Sequence, residues 1–283
     1  MKRILLPTDF SENSWNAISY ALQLFKNETC EFYLLNTYTP IIYHVEHVLV
    51  SPEQYGFGDP IREASLKNLD ELKTRIKREF NNPKHTIKST AAFNNLVPQI
   101  IEVVKTRAID YVIMGTKGAT GFKEILFGSN TVHVFKNVKC PTIAIPDGFN
   151  FETPREVLFP TDYQIDYQDH HIKPILDIVS LHKARVNILH ATYGYDLSEE
   201  QEQNKKTLEN YFKKSAYVFQ SVSNQTVEEG ITNFQLKTHI NLLVMINNKH
   251  SFFENLFFKN TINQIGFHLS IPFLVIPSKK HDS

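Results

Sequence analysis

The chain has 283 residues, 42% hydrophobic and 21% charged, an ordinary balance for a globular protein with room for two domains. Lysine plus arginine equals aspartate plus glutamate at 30 each, so no net field draws it to nucleic acid or to an anionic membrane. Its two cysteines, Cys30 and Cys140, exclude a disulfide framework and point to a reducing compartment.

Met1-Lys2-Arg3 precedes an apolar run of three residues, Ile4 to Leu6. A signal peptide needs about seven or more, and no run approaches the roughly 20 of a membrane span. A soluble, cytoplasmic protein is expected, with neither nucleic acid nor membrane as a partner.

The run 4–6, closed by Pro7, predicts a buried parallel strand. Ser11 to Ser14 offer helix N-caps, and Ala17, Ala21, Leu22 and Phe25 follow at helical spacing. Residues 31–37 predict a strand. Residues 62–80 predict a charged helix with Leu66, Leu69, Leu72 and Ile76 on one face. A strand over 86–92, a helix over 97–106 and a fully apolar strand over 111–114 come next. A helix over 130–136 and a strand over 142–145 complete the series. Strands alternating with helices imply a parallel sheet covered on both faces.

The chain then repeats itself. Ile4-Leu5-Leu6-Pro7-Thr8-Asp9-Phe10 returns as Val157-Leu158-Phe159-Pro160-Thr161-Asp162-Tyr163, at offset 153. Leu34-Leu35-Asn36-Thr37 matches Ile188-Leu189-His190-Ala191 at offset 154. Residues 109–114 and 141–146 align with 240–245 and 272–277 at offset 131. The second copy therefore lacks 23 residues, and the segment from Tyr38 to Pro60 is their expected place in the first. We expect two tandem doubly wound α/β sheets of five parallel strands, over residues 1–147 and 155–280, with a linker over 147–154. The two are expected to pack through their last strands.

Ten glycines occur in the chain, and four of them, Gly115, Gly118, Gly121 and Gly128, follow directly on the apolar strand ending at Met114. In open α/β sheets ligands bind beyond the carboxyl ends of the strands. Glycine admits backbone N–H groups close to an anion and tolerates positive φ. Gly128-Ser129 stands where the next helix begins, a place suited to phosphate. Asp9 ends the first strand at the same edge. It can accept hydrogen bonds from ribose hydroxyls or close an Asx turn before the first helix, and the sequence does not choose between them. Asp162 keeps the residue in the half without the glycines.

These residues resemble the universal stress protein family, in its ATP-binding branch. The family's glycine, two residues, glycine, nine residues, glycine and serine or threonine reads here Gly115-Thr116-Lys117-Gly118, nine residues, then Gly128-Ser129. The resemblance implies a Rossmann-like, adenine nucleotide alpha hydrolase-like fold binding ATP, usually with magnesium. It implies that Asp9 holds the ribose and that the backbone near Thr37 meets adenine. It also implies that Gly115, Gly118, Gly128, Ser129 and Asn130 hold the phosphates. Pro7, Thr8, Met114 and Lys117 complete the candidate binding set. At offset 131 the second copy has Ile246, Lys249, Lys259 and Asn260 instead of the motif residues, so it is expected to bind no ATP.

Other features weigh less. Lys117 and Lys123 can neutralise phosphate or simply stand in solvent. His44-Val45-Glu46-His47 lacks the helical metalloprotease spacing and suits a surface loop better than a metal. His170-His171 precedes a helix in which Pro174 suits the first turn. No Walker loop and no nucleophile elbow occurs. Binding is expected rather than catalysis, with slow ATP hydrolysis and a purely interacting protein as alternatives. The expected partners are an adenine nucleotide, the second repeat as an intrachain pseudo-dimer, and a second copy of the chain as a homodimer.

Overall fold

A computed structural model describes residues 1–38, 43–45, 48–50, 60–116, 128–192, 194, 196–248 and 270–278. The first half runs β1 (Lys2–Pro7), α1 (Glu12–Leu24), β2 (Cys30–Tyr38), β3 (Tyr43–Val45), β4 (Val48–Val50), α2 (Pro60–Phe80), β5 (His85–Phe93), α3 (Leu96–Arg107), β6 (Tyr111–Gly115), α4 (Ser129–Asn137) and β7 (Thr142–Ile145). The second runs β8 (Glu156–Pro160), α5 (Asp169–His182), β9 (Arg185–Thr192), α6 (Glu199–Phe212), β10 (Ala216–Ser223), α7 (Val227–Lys237), β11 (Leu242–Asn247) and β12 (Phe273–Pro277).

Ten strands form one sheet in the order β10-β9-β8-β11-β12-β7-β6-β1-β2-β5. From the centre outward each half repeats one order: last strand, fourth, first, second, third. Pairs within each half are parallel, as the apolar runs imply. At the centre β7 and β12 pair antiparallel, Ile143 opposite Leu274. The two five-stranded sheets are thus continuous. Either strand alone would leave a row of unpaired backbone groups on an apolar edge, and their pairing satisfies both.

One face carries a single core spanning both halves under α1, α2, α5 and α6, including Leu6, Phe32, Ile145, Phe159, Ile188 and Ile276. The other face carries two clusters, one under α3 and α4 and one under α7. The linker packs down: Tyr20 of α1 meets Phe149 and Phe151 with ring centroids 6.1 and 5.3 Å apart. Lys2 pairs with Asp177 of α5 at 2.7 Å, and the buried Tyr111 hydroxyl donates to the Pro174 carbonyl at 3.1 Å.

Four details differ from the sequence expectations. Leu66 is 41% exposed, and Ser65 takes its place beside Leu69, Leu72 and Ile76. The 65, 69, 72, 76 spacing follows the helical turn more closely, and the Ser65 hydroxyl donates to buried Asn36 at 2.6 Å. The extra length of the first half is divided, since α2 has 21 residues against 14 in α6. Within the rest of it, β3 and β4 form a separate antiparallel pair. Pro174 lies inside α5 rather than in its first turn, because the helix already starts at Asp169, where His171 Nδ1 accepts the Gln168 N–H.

Candidate functional site

The turn after β1 is built identically in both halves. Thr8 Oγ1 accepts the Phe10 N–H at 3.0 Å, and Asp9 Oδ1 accepts the Ser11 N–H at 3.1 Å. Thr161 accepts from Tyr163 at 3.1 Å and Asp162 from Gln164 at 3.0 Å. These side chains hold Phe10 and Tyr163 in the left-handed region, at φ 63° and 57°, which is costly for bulky residues unless fixed locally. The Asx turn therefore accounts for aspartate in both halves. Asp9 is also exposed at the carboxyl edge of the sheet. Partial burial raises its carboxyl pKa, but hydrogen bonds from Ser11 and Ser14 outweigh this and hold it below the usual carboxylate range. It is an anionic acceptor at neutral pH.

Beyond the turn the halves diverge. In the first, the Thr8 hydroxyl meets that of Ser14 at 2.9 Å, and Ser11 caps α1. In the second, the chain runs longer before α5, and the Thr161 hydroxyl meets buried Tyr167. Next along the edge, Asn36 Nδ2 donates to the Thr8 carbonyl at 2.8 Å, fixing β1 to β2 just before Thr37. His190 replaces it in the second half, with Nδ1 2.9 Å from the Thr161 carbonyl and its ring stacked on Tyr163 at 4.9 Å.

The glycine segment is anchored at both ends. Met114 is buried. A Cβ at Gly115 would stand 2.6 Å from Asn13 Oδ1, so glycine here lets α1 approach β6. Neither this glycine nor Gly128, at φ −61°, has the positive φ that sequence reasoning invoked. Thr116 donates its N–H to Ile145 at 3.0 Å. The chain returns at Gly128, whose N–H meets the Thr116 carbonyl at 2.6 Å. Thr131 then donates its hydroxyl to the Gly115 carbonyl at 3.1 Å, binding the first turn of α4 to the end of β6.

Gly128 is the N-cap of α4, and among the described residues no side chain caps it. Ser129 and Asn130 are exposed in that turn. A helix start without a capping side chain suits an anion, through its N–H groups and its dipole. The residues present at this end of the site therefore fit a phosphate group. Lys117, Gly118, Gly121 and Lys123 lie outside the described residues, as do Lys249, Lys259 and Asn260 of the second half and the side chains of residues 44–47. Ile246 is buried in β11. The described residues include no group of three or more side chains able to hold a metal ion, and no described helix is long and apolar enough to cross a membrane.

A model of the universal stress protein family matches residues 1–146, half of the chain. The chain belongs to the universal stress protein family. Universal stress protein MJ0531 of Methanocaldococcus jannaschii is 28% identical to it over 147 residues, 51% of this chain and 81% of that one. Universal stress protein MJ0577 of the same organism is 28% identical over 160 residues, 51% of this chain and 94% of that one. A solved universal stress protein from Archaeoglobus fulgidus spans 98% of both chains with a TM-score of 0.71 at 18% identity, a likeness in fold. The α/β fold with a mostly parallel sheet is the family's.

Two residues that tie strand ends in place by hydrogen bonds had no site role in the sequence reading: Asn36, through the Thr8 carbonyl, and Thr131, through the Gly115 carbonyl. Only Asn36 left a signal, as a polar residue within the apolar β2 run.

Proposed function

We propose that this universal stress protein is an ATP-binding, stress-response regulatory protein with one nucleotide site, in the repeat of residues 1–147. The second repeat, residues 155–280, is its intrachain partner in a pseudo-dimer. The observation that carries this reading is the complete glycine motif set between the buried end of β6 and the uncapped first turn of α4.

The phosphates would meet the N–H groups of Ser129 and Asn130 and the backbone at Gly118 and Gly128, with Lys117 offsetting charge. Magnesium, when bound, would neutralise phosphate charge. Asp9 would accept from the ribose hydroxyls while keeping its turn. Pro7, Thr8, Met114 and Gly115 would form the floor, and the backbone at Thr37 would meet adenine. Tyr167 and His190 support a single site, since they cover the equivalent strand ends of the second repeat. The sequence carries neither a Walker loop nor a nucleophile elbow, so binding is the reading and slow hydrolysis its alternative.

The test is calorimetric titration of the full chain with ATP and magnesium, beside Gly118→Lys. One equivalent bound by the wild type and a large loss in the variant is expected. Equal affinity in both, or none in either, overturns the reading.

A further inference from the structure

Phe93 ends β5 and is 64% exposed. Among the described residues, packing does not account for a large apolar ring held in solvent at the end of a strand. Its ladder partner across β2 is Tyr38, with ring centroids 6.2 Å apart and planes tilted by 36°. β1, β2 and β5 are consecutive in the sheet. The aromatic pair thus continues the line that begins with Asp9 and passes through Thr37, about 10 Å from β1 to β5 at two strand spacings.

The second half supplies an internal control. Its equivalent ladder, β9 with β10, ends in Thr192 opposite Ser223, where the first half has Tyr38 opposite Phe93. The two aromatic residues occur in the half that carries the glycine motif, and two small hydroxyl residues replace them in the half that lost it.

We propose that Phe93, with Tyr38 beside it, is the positioning wall on which the nucleobase stacks. This rests on the nucleotide reading given above. Ribose at Asp9 and phosphates at α4 direct the base away from β6, along the strand ends toward β2 and β5. An aromatic face binds a base through its π surface and asks for no particular hydrogen-bond pattern. The wall therefore adds affinity and orientation, and selection among bases falls to the backbone near Thr37.

The experiment compares the full-length wild type with Phe93→Ala, Phe93→Ser and Phe93→Trp, titrating each with magnesium ATP and with inorganic tripolyphosphate. Phe93→Ala and Phe93→Ser are expected to weaken ATP about five- to 150-fold, the range of one base–aromatic stack. Tripolyphosphate binding should stay unchanged, and Phe93→Trp should retain ATP affinity. ATP binding unchanged in Phe93→Ala overturns the wall and leaves the nucleotide site standing. Equal losses for ATP and tripolyphosphate also overturn it, because the base is then not what the ring touches. A wild type that binds no ATP overturns the nucleotide reading, and the wall with it.

Discussion

Replacing Gly115 by alanine tests how α1 is seated on the sheet. The added Cβ would stand 2.6, 2.8 and 2.9 Å from Asn13 Oδ1, Cγ and Nδ2, against about 3.5–4.0 Å for a comfortable contact. Asn13 is buried and cannot swing into solvent, so either its side chain leaves its rotamer or α1 lifts from β6. Overpacking of this kind costs about 1–3 kcal/mol. At about 2–4 °C per kcal/mol for a chain of this size, the melting temperature should fall by several degrees without any ligand present. Urea denaturation of the wild type, Asn13→Ala, Gly115→Ala and the double variant closes the cycle. The double variant should be more stable than the sum of the single losses predicts, by at least about 0.5 kcal/mol. A Gly115→Ala protein as stable as the wild type, or strictly additive losses, would refute the clash. If the clash holds, lost nucleotide binding in Gly115→Ala reports a displaced helix as much as a lost phosphate contact, and Gly118 is the cleaner probe.

Tyr20 is fully buried, and among the described residues its hydroxyl has no hydrogen-bond partner. Tyr20→Phe should therefore match or exceed the wild type in chemical denaturation, whereas Tyr20→Ala, which also removes the packing on Phe149 and Phe151, should lose about 3–5 kcal/mol. Burial is the leading cause holding the imidazoles of His85, His171 and His182 below the usual histidine range. A depressed folded pKa means stability is complete above the unfolded value of about 6.5 and declines as pH falls through the folded values. Melting temperature measured from pH 8 to pH 5 should be flat and then drop below about pH 6.5, and a rise there would contradict the assignment. Burial pushes the Cys30 thiol up to about 11 and that of Cys140 higher still. A thiol reagent such as DTNB should label neither in native buffer and both in guanidinium, so rapid native labelling would show that these sites are open.

The strands were legible where burial on both faces leaves no choice of residue: Ile4 to Leu6 and residues 111–114 read as apolar runs and fall in β1 and β6. The first helix was legible through Ser11, because a cap is a local device. Leu66 misled because a leucine on a charged helix looks like core, while the position facing the sheet belongs to a serine with a tertiary partner. Gly115 was legible as special, but the sequence did not show that its missing Cβ also makes room for Asn13 of α1. Asn36 and Thr131 act through long-range hydrogen bonds, Asn36 to the Thr8 carbonyl and from Ser65, Thr131 to the Gly115 and Thr116 carbonyls, and no spacing rule marks such residues. The family resemblance rested on motif residues split between β6 and α4. Their fixed separation, rather than any single glycine, made it legible.

The antiparallel seam between β7 and β12 joins two parts of one polypeptide. Dilution cannot separate what the backbone ties together, so its pairing does not depend on the amount of protein in the cell. A seam between identical subunits would force every mutation to appear on both sides of it. Here the two sides mutate independently. One half can accumulate side chains such as Tyr167 and His190 at its strand ends while the other keeps its glycines, and neither change disturbs the shared strand pair.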